Sequence, residues 1–188
     1  SAISNSTAIT HLIRGVTGSG KTRVYQELAK HSLKQSRSVL ILVPEISLTP
    51  QLAAEFEQLH NNVMVIHSGL TEAYRHKNWL RLKDAIEPWV IVGPRSSLFS
   101  PLKNIGLIVI DECHEPSYCQ DSQPKYSALR VARKLAELVG AKLVLGSATP
   151  LVADYFMAES TKTPILTMET PTKKRDTTVE IVDMREKA

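Results

Sequence analysis

Gly15-Val16-Thr17-Gly18-Ser19-Gly20-Lys21-Thr22 is the stretch whose reading decides the fold. It meets the pattern Gly-x-x-x-x-Gly-Lys-Ser/Thr at every required position, with an apolar-leaning run at 10–14 before it and a helical pattern at 22–35 after it. A strand, a glycine-rich loop and a helix in that order form a phosphate cradle. Gly15, Gly18 and Gly20 let the backbone turn tightly, bringing the loop N–H groups, those of Val16, Thr17 and Ser19 among them, within reach of phosphate oxygens. Lys21 is suited to bridge the β- and γ-phosphates as a point charge, and Thr22 to offer its hydroxyl to Mg²⁺. A glycine-rich turn with a chance lysine would not need all of these positions. The reading is a nucleoside triphosphate site.

Outward from that loop, the runs at 38–43, 63–66, 89–92, 107–110 and 142–145 are short, apolar and rich in branched residues, as strands buried on both faces are. Between them, helical spacing appears at 49–60, 71–85 and 127–139, the first with Thr49 as N-cap and Pro50 at its opening position. Such alternation predicts an α/β fold, a mostly parallel sheet with helices on both faces. Residues 1–9 read as an unstructured lead-in and 10–188 as one domain. In its tail, 164–168 and 179–182 are weaker strand patterns, and Lys173, Lys174 and Arg175 mark an exposed connection.

Composition narrows the class. The 188 residues are 43% hydrophobic and 22% charged, as in globular proteins, and aromatics at 5% leave the core to Leu, Ile, Val and Ala. A net charge of +4 permits nucleic-acid binding without requiring it. Two cysteines, Cys113 and Cys119, are too few for a disulfide framework or a four-ligand zinc site, and suggest a reducing, cytoplasmic setting. No apolar run approaches the roughly 18 residues of a membrane span, and residues 1–11 lack the zones of a signal peptide.

In an open parallel sheet, ligands bind at the carboxyl ends of the strands. The polar motifs of this chain follow its strands: Pro44-Glu45-Ile46-Ser47, His67-Ser68-Gly69, Gly93-Pro94-Arg95-Ser96-Ser97, Asp111-Glu112-Cys113-His114 and Gly146-Ser147-Ala148-Thr149. Asp111 and Glu112 end a buried strand, as a Walker B pair does. Asp111 is placed to hold Mg²⁺, and Glu112 to orient and deprotonate an attacking water. His114, three positions after Asp111, is within reach of the γ-phosphate region and of the Ser147-Ala148-Thr149 loop. Hydroxyls on Ser147 and Thr149 can bond to the carboxylate box and couple it to nucleotide state.

Asp-Glu-x-His combined with Ser-Ala-Thr resembles helicase superfamily 2. The longer strings resemble the bacterial replication-restart (primosomal) helicases within it. These are the phosphate loop, Leu42-Val43-Pro44-Glu45-Ile46-Ser47-Leu48-Thr49-Pro50-Gln51, Arg95-Ser96-Ser97-Leu98-Phe99-Ser100-Pro101, and Glu115-Pro116-Ser117-Tyr118 with Gln120. Leu145-Gly146-Ser147-Ala148-Thr149-Pro150 and Val179-Glu180-Ile181-Val182-Asp183-Met184-Arg185 complete the set. The resemblance runs from about Gly15 to Arg185. It implies a RecA-like lobe 1 of an ATP- and Mg²⁺-dependent 3′-to-5′ DNA helicase, with the last strand marking passage to a second lobe. It further implies single-stranded or forked DNA as partner, with single-strand-binding protein and other primosome proteins, and no membrane.

For DNA, the resemblance implies backbone contacts from the loops holding Pro44, Ser47, Thr49, Ser68, Arg95 and Ser96, whose hydroxyls and charge suit phosphates. Tyr118 and Tyr126 are candidates to stack on bases, at ~1–3 kcal/mol each. Departures from the family pattern are Cys113 in place of a glutamate, Cys119 in place of a lysine, the altered Tyr126-Ser127-Ala128-Leu129-Arg130, and no glutamine upstream of Gly15 to read adenine. Two other readings stay open at this point: a lobe of a different superfamily 2 DNA translocase, or a nucleotide-gated interaction module that hydrolyses nothing by itself.

Overall fold

The computed structural model describes residues 2–47 and 50–169. The Thr49 cap, the basic cluster at Lys173, Lys174 and Arg175, and the strand expected at 179–182 lie outside the described residues. The strands are β1 (Thr10–Gly15), β2 (Ser38–Leu42), β3 (Val63–Val65), β4 (Val90–Gly93), β5 (Ile105–Ile110), β6 (Cys119–Gln120), β7 (Tyr126–Ser127), β8 (Lys142–Ser147) and β9 (Ile165–Met168). The helices are α1 (Ala2–Asn5), α2 (Lys21–Lys34), α3 (Pro50–Glu57), α4 (Glu72–Asp84), α5 (Ala128–Val139) and α6 (Val152–Ser160). Seven of the described strands form one sheet in the order β3-β4-β2-β5-β8-β1-β9, while β6 and β7 pair separately as an antiparallel hairpin. Every neighbouring pair in the main sheet is parallel.

The expected α/β architecture is therefore the observed one, and its cause is visible in the runs themselves. β2, β4 and β5 are buried at every residue, which only a sheet covered on both faces allows. Successive side chains alternate between two cores. Leu40, Leu42, Ile108 and Ile110 point to the face that carries α5, through Ala128, Ala132 and Ala136. Val39, Ile41, Leu107 and Val109 point to the face that carries α2, through Tyr25, Leu28 and Ala29, and α3 through Phe56. The three alanines stand at i, i+4 and i+8, one stripe of small residues that lets α5 lie close to the strands.

The N-terminal segment departs from the expected lead-in. Residues Ala2–Asn5 form a helical turn, and Ile3 is buried in the α2-side core. Lys142 donates to the carbonyls of Ser6 and Ala8, and Leu143 N–H donates to Ile9 O at 2.8 Å, so residues 6–9 are stitched to β8. One buried isoleucine in a run of small polar residues was too little pattern to predict this. Among the described residues, no helix is long and apolar enough to cross a membrane.

Candidate nucleotide-binding edge and adjoining groove

β1 delivers its last residue, Gly15, into the glycine-rich loop. Gly18 and Gly20 take φ of 77° and 90°, the left-handed region that glycine enters without a Cβ penalty. A Cβ on Gly15 would lie 2.5 Å from Ser19 Oγ and 3.1 Å from Lys21 Cγ, so the loop closes only over a bare backbone there. α2 opens at Lys21 on Gly20, with no side-chain cap on its first N–H groups. That leaves the positive end of a fourteen-residue helix directed at the loop. Lys21 is 7% exposed; its ammonium donates to Gly15 O at 2.8 Å and lies 3.4 Å from Glu112 Oε1. Ser19 Oγ is buried without a hydrogen-bond partner among the described residues. Left-handed glycines, an uncapped helix start and a lysine at the mouth fit a polyphosphate.

β5 brings up the carboxylates. Asp111 N–H extends the ladder to Leu42 O at 2.9 Å, and Tyr25 donates its hydroxyl to Asp111 Oδ1 at 2.8 Å. Burial raises the Asp111 pKa above the usual aspartate value, with Glu112 adding to the rise and the Tyr25 hydrogen bond and Lys21 opposing it. Burial, then the charge of Asp111, pushes the Tyr25 phenol far up, so the tyrosine stays the donor. Glu112 sits at φ 45° and turns its carboxylate toward three groups: Lys21, Ala148 N–H at 3.4 Å and His114 Nδ1 at 3.6 Å. His114 Nδ1 is also 2.8 Å from Ser147 Oγ, which accepts from Thr149 N–H at 3.0 Å. Cys113 is buried, its thiol pushed up to about 12 by burial first and by nearby carboxylates, and its N–H donates to Gly146 O at 2.9 Å.

The fold thus brings Lys21, Asp111, Glu112, His114 and Ser147 together at the ends of β1, β5 and β8. Thr149 joins through its backbone, and Thr22 follows Lys21 in the first turn of α2. The roles of two residues in this cluster were not read from the sequence. Tyr25 lies one helical turn after Lys21, on the same face, which is the spacing that could have found it. Gly146 is the other: a Cβ there would overlap the Tyr25 hydroxyl and lie 2.9 Å from its Cζ.

The other half of the edge, at the ends of β2, β3 and β4, holds a cavity of about 550 Å³ lined by Pro44, Ser68, Arg95, Ser96 and Tyr118 among others. Ser47 stands in the single 3₁₀ turn Glu45–Ser47 that leaves Pro44. Glu45 accepts from Ser68 N–H at 2.9 Å, which fastens the two loops together, and the Ser68 side chain, with that N–H second, holds its carboxyl below the usual range. Arg95 opens the 3₁₀ turn Arg95–Phe99 and donates to Ser117 O. Tyr118 corrects its expected role: the ring is 1% exposed and its hydroxyl donates to Asp111 O at 2.6 Å, so it offers no free face for a base. Tyr126 is half-buried and packs edge-on to Phe99, with centroids 5.3 Å apart.

A phosphate loop and a carboxylate-histidine box on neighbouring ends of a parallel sheet define a RecA-like nucleotide-binding domain. The chain belongs to the DEAD/DEAH box helicase family, whose profile matches residues 2–155. It is similar to the Replication restart protein PriA of Bacillus subtilis, 41% identical over 177 residues that make up 93% of this chain and 22% of that protein. PriA of Chlamydia pneumoniae is 42% identical over 164 residues, covering 86% and 22% of the two chains. PriA of Synechocystis is 44% identical over 146 residues, covering 77% and 17%. The chain spans about a fifth of the length of these relatives. Among solved structures, the Pyrococcus furiosus Hef helicase domain superposes with TM-score 0.64 at 23% identity, covering 89% of this chain and 36% of that one. RecG bound to a three-way DNA junction gives 0.59 at 21%, covering 87% and 21%. At these identities the two structures speak for the fold.

Proposed function

We propose that the chain is the ATP-binding lobe of a replication-restart DNA helicase of the PriA kind, residues 10–188 forming lobe 1 of a two-lobe motor. The observation that carries this is the meeting of Lys21, Asp111, Glu112, His114 and Ser147 at adjacent strand ends. Gly15, Val16, Thr17, Gly18, Ser19 and Gly20 wrap the phosphates, with Lys21 on the β- and γ-phosphates. Thr22 and Asp111 supply oxygen donors of the type Mg²⁺ takes, and the ion, when bound, neutralises charge on the transferred phosphate. Glu112 holds and deprotonates the attacking water. Its contacts to Lys21, Ala148 N–H and His114 tie that carboxylate to the Ser147-Ala148-Thr149 loop, through which nucleotide state is passed on.

DNA is assigned to the other half of the edge. Ser47, Ser68 and Ser96 donate to phosphates there, Thr49 is given the same role from the sequence, and Arg95 and Pro44 shape the path. Relatives named for replication restart support a DNA strand rather than a protein as the cargo. Phosphate contacts carry no sequence information, as a translocating motor requires. Titration of a non-hydrolysable ATP analogue with Mg²⁺ into the chain, followed by calorimetry, tests the nucleotide assignment. Lys21→Ala is expected to weaken binding at least tenfold, about 1.4 kcal/mol. Unchanged affinity would remove the site.

A further inference from the structure

The cavity at the ends of β2, β3 and β4 has a wall that phosphate contacts leave unused. α4 stands over it, and of that helix's thirteen residues only Leu82 is buried. Arg75, Asn78, Trp79 and Leu82, at i, i+3, i+4 and i+7, line the cavity from one face of α4. A helix normally owes its stability to packing an apolar face on a core. Here that face looks into about 550 Å³ of space. Two large aromatic side chains border it while still exposed, Trp79 at 42% and Phe99 at 58%. Phe99 is steadied edge-on by Tyr126, and the Lys83 ammonium lies 5.4 Å from the Trp79 ring centroid.

The rim carries two arginines against one carboxylate, Glu45, which already accepts from Ser68 N–H, and the arginines are held in place. Arg75 donates from Nε to Leu70 O at 3.1 Å and from a terminal nitrogen to Ser68 O at 2.8 Å. Arg95 is anchored on Ser117 O. Each of these arginines has further N–H groups beyond those bonds. A pocket with aromatic sides, an apolar floor and a positive mouth matches one chemistry well: a flat heteroaromatic ring carried on a phosphate chain.

We propose that this cavity receives an unpaired base of a single DNA strand, in contact with Trp79 and Phe99, while Arg75 and Arg95 take the flanking phosphates. The inference rests on the assignment of DNA to this half of the edge and deepens it. The volume falls within the roughly 300–1,000 Å³ of pockets that hold small ligands. Every base has a π-face, so such a contact is sequence-tolerant and compatible with a motor that reads no sequence.

The test compares two labelled strands of equal length, oligo(dT) and a fully abasic analogue, by fluorescence anisotropy at low salt on the unaltered chain. The expected result is that the abasic strand binds about 5- to 140-fold more weakly. Trp79→Ala and Phe99→Ala, on separate elements, should each weaken oligo(dT) and leave the abasic strand unchanged. Equal affinity of the unaltered chain for both strands overturns this inference while leaving the DNA assignment standing. Discrimination that survives both variants also overturns it, since the base is then read elsewhere. No binding of oligo(dT) at low salt overturns the DNA assignment itself and this inference with it.

Discussion

Glu112 takes φ 45°, a conformation that costs a non-glycine residue about 1–3 kcal/mol and persists only where neighbours over-determine it. Here they do: the next residue's N–H is bonded to Gly146 O, and Glu112 O accepts from Glu115 N–H, both at 2.9 Å. The turn aims the carboxylate at Lys21 instead of away from it, so the strain sits at the residue proposed to activate water. Another residue that the environment constrains is His11, 1% exposed in β1, with neither ring nitrogen bonded to a partner among the described residues. Burial, aided by the charge of Lys142, lowers its pKa below 6.5. Well above pH 6.5 the ring is neutral folded or unfolded, and its titration adds no pH dependence to stability. As pH falls from 6.5 toward the lowered folded value, only the unfolded chain takes the proton, so stability drops, by at most about 1.4 kcal/mol per pH unit. Below the folded value the loss levels off. Urea midpoints of the chain and of His11→Leu between pH 8 and 5, roughly the range where histidine titrates, should diverge in slope on the acid side. Parallel curves would show that His11 is not buried neutral.

Among the elements, α2 and β8 are the pair on which the site depends. α2 starts in the phosphate loop and lies across Gly146 so that Tyr25 reaches Asp111. Gly146→Ala would place a methyl where the Tyr25 hydroxyl is, lifting α2 and the loop with it. The expected cost is about 1–3 kcal/mol, as for other overpacked cores, together with weaker nucleotide binding. Adding Tyr25→Phe removes the overlapping oxygen, so the double variant should lose less than the sum of the two single losses. Urea denaturation of the four proteins of that cycle measures the coupling, expected to exceed about 0.5 kcal/mol. Additive losses would mean that the glycine is not there to admit the tyrosine. Elements with a full hydrophobic pattern were legible in the sequence to within a few residues. Those that were missed lacked one: α6 buries Ala158 and leaves Val152 and Phe156 at 86% and 68% exposed, and β6 and β7 have two residues each. The candidate site was legible wherever a residue type and its spacing imply a charge or a phosphate contact. Tyr118 and Gly146 were not, because their roles depend on what lies across the sheet from them.

At the scale of the whole molecule, the proposed function divides one sheet edge between two tasks. The ends of β5, β8 and β1 gather the phosphate chemistry, and the ends of β2, β3 and β4 form the cationic, aromatic groove. Tyr118 stands at the boundary, lining the cavity while bonded to the backbone of Asp111. In the proposed reading, such an edge is half of a motor. In a two-lobe helicase the facing lobe brings an arginine to the γ-phosphate, a contribution of roughly 10³–10⁵ in rate. At about 1.36 kcal/mol per tenfold this is on the order of 4–7 kcal/mol of barrier. The most direct measurement is steady-state ATP hydrolysis, with and without single-stranded DNA, by this chain alone and by the same chain joined to a second lobe. The chain alone should turn over at least about 10³-fold more slowly than the two-lobe protein. DNA should stimulate the two-lobe protein only, and Glu112→Gln should abolish that activity while nucleotide still binds. Brisk, DNA-stimulated turnover by the chain alone, or full activity in the two-lobe Glu112→Gln protein, would contradict the assignment of this edge as one half of a helicase ATP site.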